Sequence, residues 1–156
     1  MSIRRARPDE ADALTALATR AKAHWGYDTE FMDQVSPAMA LSASDIEAQE
    51  IWVLEDDGHV VGFHLVLGGD SAELEDMWVD PSAMGTGHGR RLFEHAIGVA
   101  RGSGASSLEL DADPHAVGFY ERMGMQRIGD TPSALIPGRS LPRMRVDVPD
   151  DTDVLS

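Results

Sequence analysis

Gly85, Gly87 and Gly89 alternate with other residues in the stretch DPSAMGTGHGRRLF, Asp80–Phe93, and Arg90 and Arg91 follow at once. Glycine lets a backbone approach a ligand with no Cβ in the way. The first amides of a helix lack intrahelical acceptors and point outward at the positive end of the dipole. A glycine-rich loop that opens a helix is therefore suited to bind phosphate, and the arginines add charge. The same stretch also reads as a surface turn before an ordinary helix, and the glycines alone do not decide between the two. Two familiar phosphate motifs are excluded. The dinucleotide pattern G-x-G-x-x-G fails because Arg90 stands three positions after Gly87, and G-x-x-x-x-G-K-[ST] fails because Lys22 is the only lysine.

Other chemistries are bounded by composition. The chain has 156 residues and no cysteine, so disulfides, thiolate zinc sites and thiol nucleophiles are ruled out. His24 and His64 lack a second ligand at metal spacing, and no metal is expected. With 27 acidic against 13 basic residues the net charge is −14, a poor match for nucleic acid and compatible with a cationic substrate. The acidity speaks first to solubility or a saline cytoplasm and only then to function. The N-terminal stretch lacks the apolar segment of a secretory signal, and no apolar run is long enough to span a bilayer. No membrane partner and a cytoplasmic location are expected.

The elements that must carry the glycine stretch follow from periodicity and punctuation. Ser2–Arg7 reads as a strand stopped by Pro8. Leu14, Leu17, Ala18 and Ala21 recur at helical spacing after a cap at Asp9. Asp28–Val35 reads as a second helix closed by Ser36-Pro37. Ile51–Glu55 and Val60–Leu67 are strands joined through Asp56-Asp57-Gly58, a hairpin signal. Ala72–Val79 is the next strand. After the glycines, Leu92, Phe93, Ala96, Ile97 and Ala100 form one helical face ended by Gly102 and Gly104. Ser107–Asp111 is a strand, and Asp113-Pro114 starts a helix that carries Phe119 and Tyr120. Two final strands flank the loop DTPSALIPGRSLP. The order is strand, two helices, three strands, helix, strand, helix, two strands, an α+β chain with a mixed sheet. Residues 1–148 are expected to form one domain, with an acidic, flexible tail over 149–156.

Two segments in this order carry a resemblance. LEDMWVDPSAMGTGHGRRLFEHA resembles the acetyl-CoA-binding motif of the GCN5-related N-acetyltransferases (GNAT), a strand ending in Val-x-Pro, then [QR]-x-x-G-x-[GA], then a helix. DPHAVGFYERMGM resembles the family's second motif through Ala116, Phe119, Tyr120, Gly124 and Met125. The element order is similar to the family's too, over roughly residues 2–148. There are two departures: Met84 replaces the usual Gln or Arg, and Asp113 replaces a common Asn.

The resemblance implies direct transfer of acetyl from acetyl-CoA to an amine. It assigns the pyrophosphate to the backbone of Gly85, Thr86, Gly87, His88, Gly89 and Arg90. The pantetheine arm would lie along Met77, Trp78 and Val79, entering where the sheet splays beyond this strand. Asp113, Ala116 and Phe119 complete the cofactor side, with Phe119 as wall or core packing. Tyr120 is the expected acid toward the thiolate, a role the family often gives this tyrosine. Glu75 is the expected base, direct or through water, and alternation places Glu73, Glu75, Met77 and Val79 on one face of the strand; a solvated surface glutamate is the other reading. His64 is a weaker alternative base. Trp25, Tyr27 and Glu73 are the expected acceptor-binding residues, although the two rings could equally cover core. The acceptor expected is a small amine, for which a cationic one suits the charge. A protein N-terminus or lysine and a non-catalytic acyl-CoA module are the alternatives. Family members are often dimers, so the resemblance allows a homodimer, and the sequence does not fix the oligomeric state.

Overall fold

The computed structural model describes residues 1–149. The expected tail lies, from residue 150 on, outside the described residues. Seven strands are present: β1 (Ser2–Arg5), β2 (Ile51–Asp56), β3 (His59–Leu67), β4 (Ser71–Val79), β5 (Ser107–Asp111), β6 (Gln126–Pro132) and β7 (Ser140–Asp147). They are ordered β1-β2-β3-β4-β5-β7-β6. The helices are α1 (Ala11–Ala23), α2 (Thr29–Met39), α3 (Ala43–Ala48), α4 (His88–Gly102) and α5 (Val117–Arg122). β4 and β5 pair parallel, whereas β1–β2, β2–β3, β5–β7 and β6–β7 pair antiparallel. This is the mixed α+β architecture expected. No helix among the described residues is long and apolar enough to cross a membrane.

Contacts gather the chain into two compact units. The first comprises Met1–Leu65 and Asp76–Leu92. Its core joins Leu14, Leu17 and Ala18 of α1 to Ile46, Ile51, Val53, Phe63 and Leu65, with Trp78 packed against it. The α1 residues are those whose spacing predicts the buried face. The β2–β3 turn places both Asp57 (φ 54°) and Gly58 (φ 77°) in the left-handed region, as a two-residue hairpin requires. Gly62 lies opposite Leu54 on β2. A Cβ there would stand 2.7 Å from Leu92 Cδ1 and 2.9 Å from the Trp78 carbonyl oxygen, so the close approach needs glycine. Arg4 ties the chain entry together, since its guanidinium donates to both oxygens of Glu10 at 2.9 and 2.8 Å and to Glu55 at 2.7 Å.

Element ends differ from expectation, and one helix is additional. The N-cap of α1 is Glu10, without a side-chain cap bond, rather than Asp9. β1 ends at Arg5 rather than Arg7, although the Ala6 amide still donates to the Ile51 carbonyl. α2 runs through Pro37 to Met39. Proline is costly in a helix interior because it removes a donor, but here only the final turn is affected. The Ser36 hydroxyl donates to the Met32 carbonyl just before it. α3 is an additional short helix, started by a capping box in which Ser42 and Asp45 each accept from the other's amide.

The second unit comprises Val66–Glu75 and Phe93–Ser156, described as far as residue 149. Here Phe93, Ala96 and Ala100 of α4 are buried, as are Leu108, Leu110, Tyr120 and Met144. The helical face predicted for α4 is thus the buried one, except that Ile97 is half-buried.

Candidate active site

The glycine stretch begins where β4 ends. The Asp80 amide donates to the Val61 carbonyl at 2.7 Å. The Asp80 carboxylate caps the turn Pro81–Ala83 by accepting from the Ser82 amide, and it lies 2.5 Å from Arg20 Nη2. The Arg20 hydrogen bond holds this carboxyl below its ordinary value. Gly85 and Gly87 then adopt φ of 78° and 84°, a region that L side chains enter at a cost. Among the described residues no heavy atom lies within 4 Å of the place a Cβ would take at either glycine. The backbone there is open to a ligand, and α4 begins at His88. Gly89 lies within the helix.

Two side chains of this loop, Thr86 and His88, bond to the protein itself. His88 is buried, with Nε2 2.8 Å from a carboxylate oxygen of Asp56. Its Nδ1 meets the Thr86 hydroxyl, which also reaches the Ala83 carbonyl. With Thr86 and His88 engaged in this way, main-chain groups and the exposed Arg90 and Arg91 are what the loop offers outward. Backbone amides at a helix start, without Cβ atoms in front of them, fit a pyrophosphate.

Along β4, Glu73 is not open. Its two oxygens take Arg143 Nη1 at 2.7 Å and Nη2 at 2.5 Å. Arg143 also meets Glu109 and Asp111, each at 3.2 Å. Glu75 is exposed while Leu74 beside it is buried, the alternation a strand predicts. The β4–β5 ladder comprises Ser71–Glu73 against Ser107–Glu109, and β4 runs on to Val79. Met77, Trp78 and Val79 are half-buried, and the Trp78 indole donates to Asp76 at 3.3 Å. His64 on β3 is fully buried, which removes it from contact with solvent.

Asp113 caps a short 3-10 turn, Pro114–Ala116, rather than α5 itself, and accepts from the His115 amide at 2.9 Å. Arg139 stands 3.7 Å from the same carboxylate. Ala116 and Phe119 are half-buried. Tyr120 is 8% exposed, edge-on to Phe119 at 5.2 Å and tilted against Phe93 at 6.2 Å.

Trp25 and Tyr27 lie between α1 and α2, and both are half-buried. Trp25 meets His24 edge-on. Tyr27 stacks on Phe31 at 4.0 Å, and the Lys22 ammonium lies over both rings, 5.1 and 5.8 Å from their centres. The first unit therefore holds Trp25, Tyr27, Met77, Trp78, Val79 and the loop Gly85–Arg90. The second holds Glu73, Glu75, Asp113, Ala116, Phe119 and Tyr120. Asp56, Phe31 and Arg143 escaped sequence reading. Asp56–His88 and Arg143–Glu73 are separated by 32 and 70 positions, and no local pattern announces such pairs. Among the described residues, no group of three or more His, Asp or Glu side chains could hold a metal ion.

The chain is similar to known proteins in sequence and fold. The acetyltransferase (GNAT) family profile matches residues 13–125. The peptidyl-lysine N-acetyltransferase YjaB of Salmonella typhimurium is 32% identical over 136 residues, covering 83% of this chain and 86% of that protein. Serotonin N-acetyltransferase 2, chloroplastic, of Oryza sativa subsp. japonica is 36% identical over 86 residues, covering 51% of this chain and 43% of that protein. A GCN5-related N-acetyltransferase structure from Rhodopseudomonas palustris has the same fold, with a TM-score of 0.80 at 21% identity and 94% of each chain covered.

Proposed function

Because the chain belongs to the acetyltransferase (GNAT) family and is an N-acetyltransferase, we propose that it transfers the acetyl group of acetyl-CoA to a primary amine of a small molecule. The observation that carries this is the pair of left-handed glycines, Gly85 and Gly87, with open space before them at the start of α4. Bound acetyl-CoA supplies an acetyl carbon joined to a thiolate leaving group. The residues of the chain have three tasks. The backbone of Gly85–Arg90 holds the pyrophosphate, with β4 at Met77–Val79 beside the pantetheine arm. Glu75 takes the proton that the ammonium must lose before nitrogen can attack, directly or through water. As the new C–N bond forms and the C–S bond breaks, Tyr120 gives its phenolic proton to the departing sulfur. Asp113, Ala116 and Phe119 shape the cofactor side.

Trp25 and Tyr27 are the acceptor-binding rings in this reading. Their place between α1 and α2 supports it; the Lys22 ammonium lies over Tyr27 and Phe31, so a cationic acceptor at Tyr27 has to displace it. Glu73 enters the acceptor site only as one half of its pair with Arg143. A second reading, acetylation of lysine in peptides, is favoured by the similarity to YjaB.

The test is release of free thiol from acetyl-CoA across polyamines, arylalkylamines, aminoglycosides, amino acids and lysine-containing peptides. Turnover with a free small amine is expected. Turnover with peptides alone replaces the first reading by the second. A protein that neither binds coenzyme A nor releases thiol with any amine overturns both.

A further inference from the structure

We infer that Asp56 is a positioning residue for the coenzyme A cradle, acting through His88 on Thr86. The inference rests on the proposed reading of Gly85–Arg90 as that cradle. Asp56 closes β2 at the hairpin, far from the motif in sequence, and its carboxylate takes His88 Nε2 at 2.8 Å. An ionised carboxylate has no hydrogen to give, so Nε2 is the donor. A fixed bond at one ring nitrogen sets the orientation in which the other is presented. His88 Nδ1 thereby meets the Thr86 hydroxyl, whose single hydrogen serves either this nitrogen or the Ala83 carbonyl, so that Thr86 is held between the two.

The position of Thr86 gives this chain of bonds its purpose. Thr86 stands between Gly85 and Gly87, both left-handed and both without a side chain. Glycine has the largest conformational freedom to lose on ordering. Thr86 therefore carries the one side chain by which the middle of the cradle is pinned. Its anchors lie on both sides, the turn before the cradle at Ala83 and the first residue of α4 after it. Asp56 reaches that residue from a separate element. A loop held in its binding shape before ligand arrives loses less entropy when it binds. The imidazole in the middle of the relay is buried, 6% exposed, while Asp56 and Thr86 at its two ends remain in contact with solvent.

The test uses the full chain and coenzyme A as probe. Asp56 has a side chain 44% exposed, so Asp56→Ala is expected to fold, and its melting temperature checks this. Asp56→Ala and Thr86→Val are each expected to speed amide hydrogen exchange at Gly85–His88 in the absence of ligand. Each should also weaken coenzyme A binding by about tenfold, the scale of one charge-assisted or buried hydrogen bond. Thr86→Ser, which keeps the hydroxyl, is expected to restore both. The imidazole 15N shifts of His88 should change in Asp56→Ala. Unchanged exchange at Gly85–His88 and unchanged His88 shifts in Asp56→Ala overturn the relay, whatever happens to binding. Faster exchange with unaltered coenzyme A affinity overturns its role in the cradle. A wild-type protein that binds no coenzyme A overturns the cradle reading instead, and the exchange data alone then decide whether the relay orders the loop.

Discussion

Glu73 and Arg143 face each other with both carboxylate oxygens engaged, at 2.5 and 2.7 Å, and the same guanidinium reaches Glu109 and Asp111. One cation thus serves three carboxylates drawn from β4 and β5. Arg143→Ala should leave these like charges facing one another and lower unfolding stability by about 1–2 kcal/mol at low salt, a value discounted for partial exposure. Added salt should narrow the deficit only in part, because screening is strong beyond a Debye length of about 10 Å at 0.1 M and weaker for close, partly buried pairs. Urea unfolding at two ionic strengths measures this; an equal deficit at both would assign the loss to packing.

Tyr120→Phe keeps the ring that packs against Phe93 and Phe119 and removes only the hydroxyl. Turnover is expected to fall by roughly 10²-fold with acetyl-CoA affinity nearly unchanged. Steady-state rates beside calorimetric binding give the answer, and wild-type turnover would remove Tyr120 from the mechanism.

Glu75→Gln is nearly isosteric at an exposed position, so the fold should survive. The kcat/KM for the acceptor should drop by about 10²-fold near neutral pH, with loss of the acidic limb of the pH–rate profile. A variant with the wild-type profile rules out the base role.

Gly62→Ala places a methyl group 2.7 Å from Leu92 Cδ1 and 2.9 Å from a carbonyl oxygen of β4. The leucine can shift, but the backbone oxygen moves only with its strand. A loss of about 1–3 kcal/mol is expected, the usual cost of overpacking. Gly129→Ala, where an added Cβ meets nothing within 4 Å among the described residues, should stay within about 0.5 kcal/mol of wild type. Equal thermal shifts in the two would contradict the steric argument.

The Asp80 carboxyl is held below its ordinary value, first by its hydrogen bond from Arg20. A carboxyl depressed in the folded state contributes stability above its unfolded pKa of about 4 and loses it as pH falls through the folded value. Asp80→Asn should therefore be less stable than wild type by up to about 1 kcal/mol at neutral pH. The gap should close as pH is lowered below about 4. Thermal unfolding of both proteins from pH 7 to pH 2 follows it, and a gap independent of pH would point away from the ion pair.

What could be read from sequence was local. The apolar spacing of Leu14, Leu17 and Ala18 placed the core face of α1, and Asp57-Gly58 named a turn whose dihedrals are observed. Ser42 and Asp45 spell a capping box that could have revealed α3, yet the helix is short enough for its pattern to pass as loop. Pro37 misled because its cost depends on how much helix follows, and only a final turn does. At the candidate site, the glycines and the Phe119-Tyr120 pair were visible as motifs. Partners such as Asp56 for His88 and Arg143 for Glu73 were not, since strand pairing and a helix start bring them together and neither element encodes the other.

Lys22 carries a further consequence. It is the chain's only lysine, and its ammonium lies over the Tyr27 and Phe31 rings. An acetyltransferase that acts on amines thus contains a single amine-bearing side chain of its own, and that one is sheltered. Acetylation assays by mass spectrometry should carry almost no background from the enzyme, and prolonged incubation with acetyl-CoA should leave its own side chains nearly unlabelled.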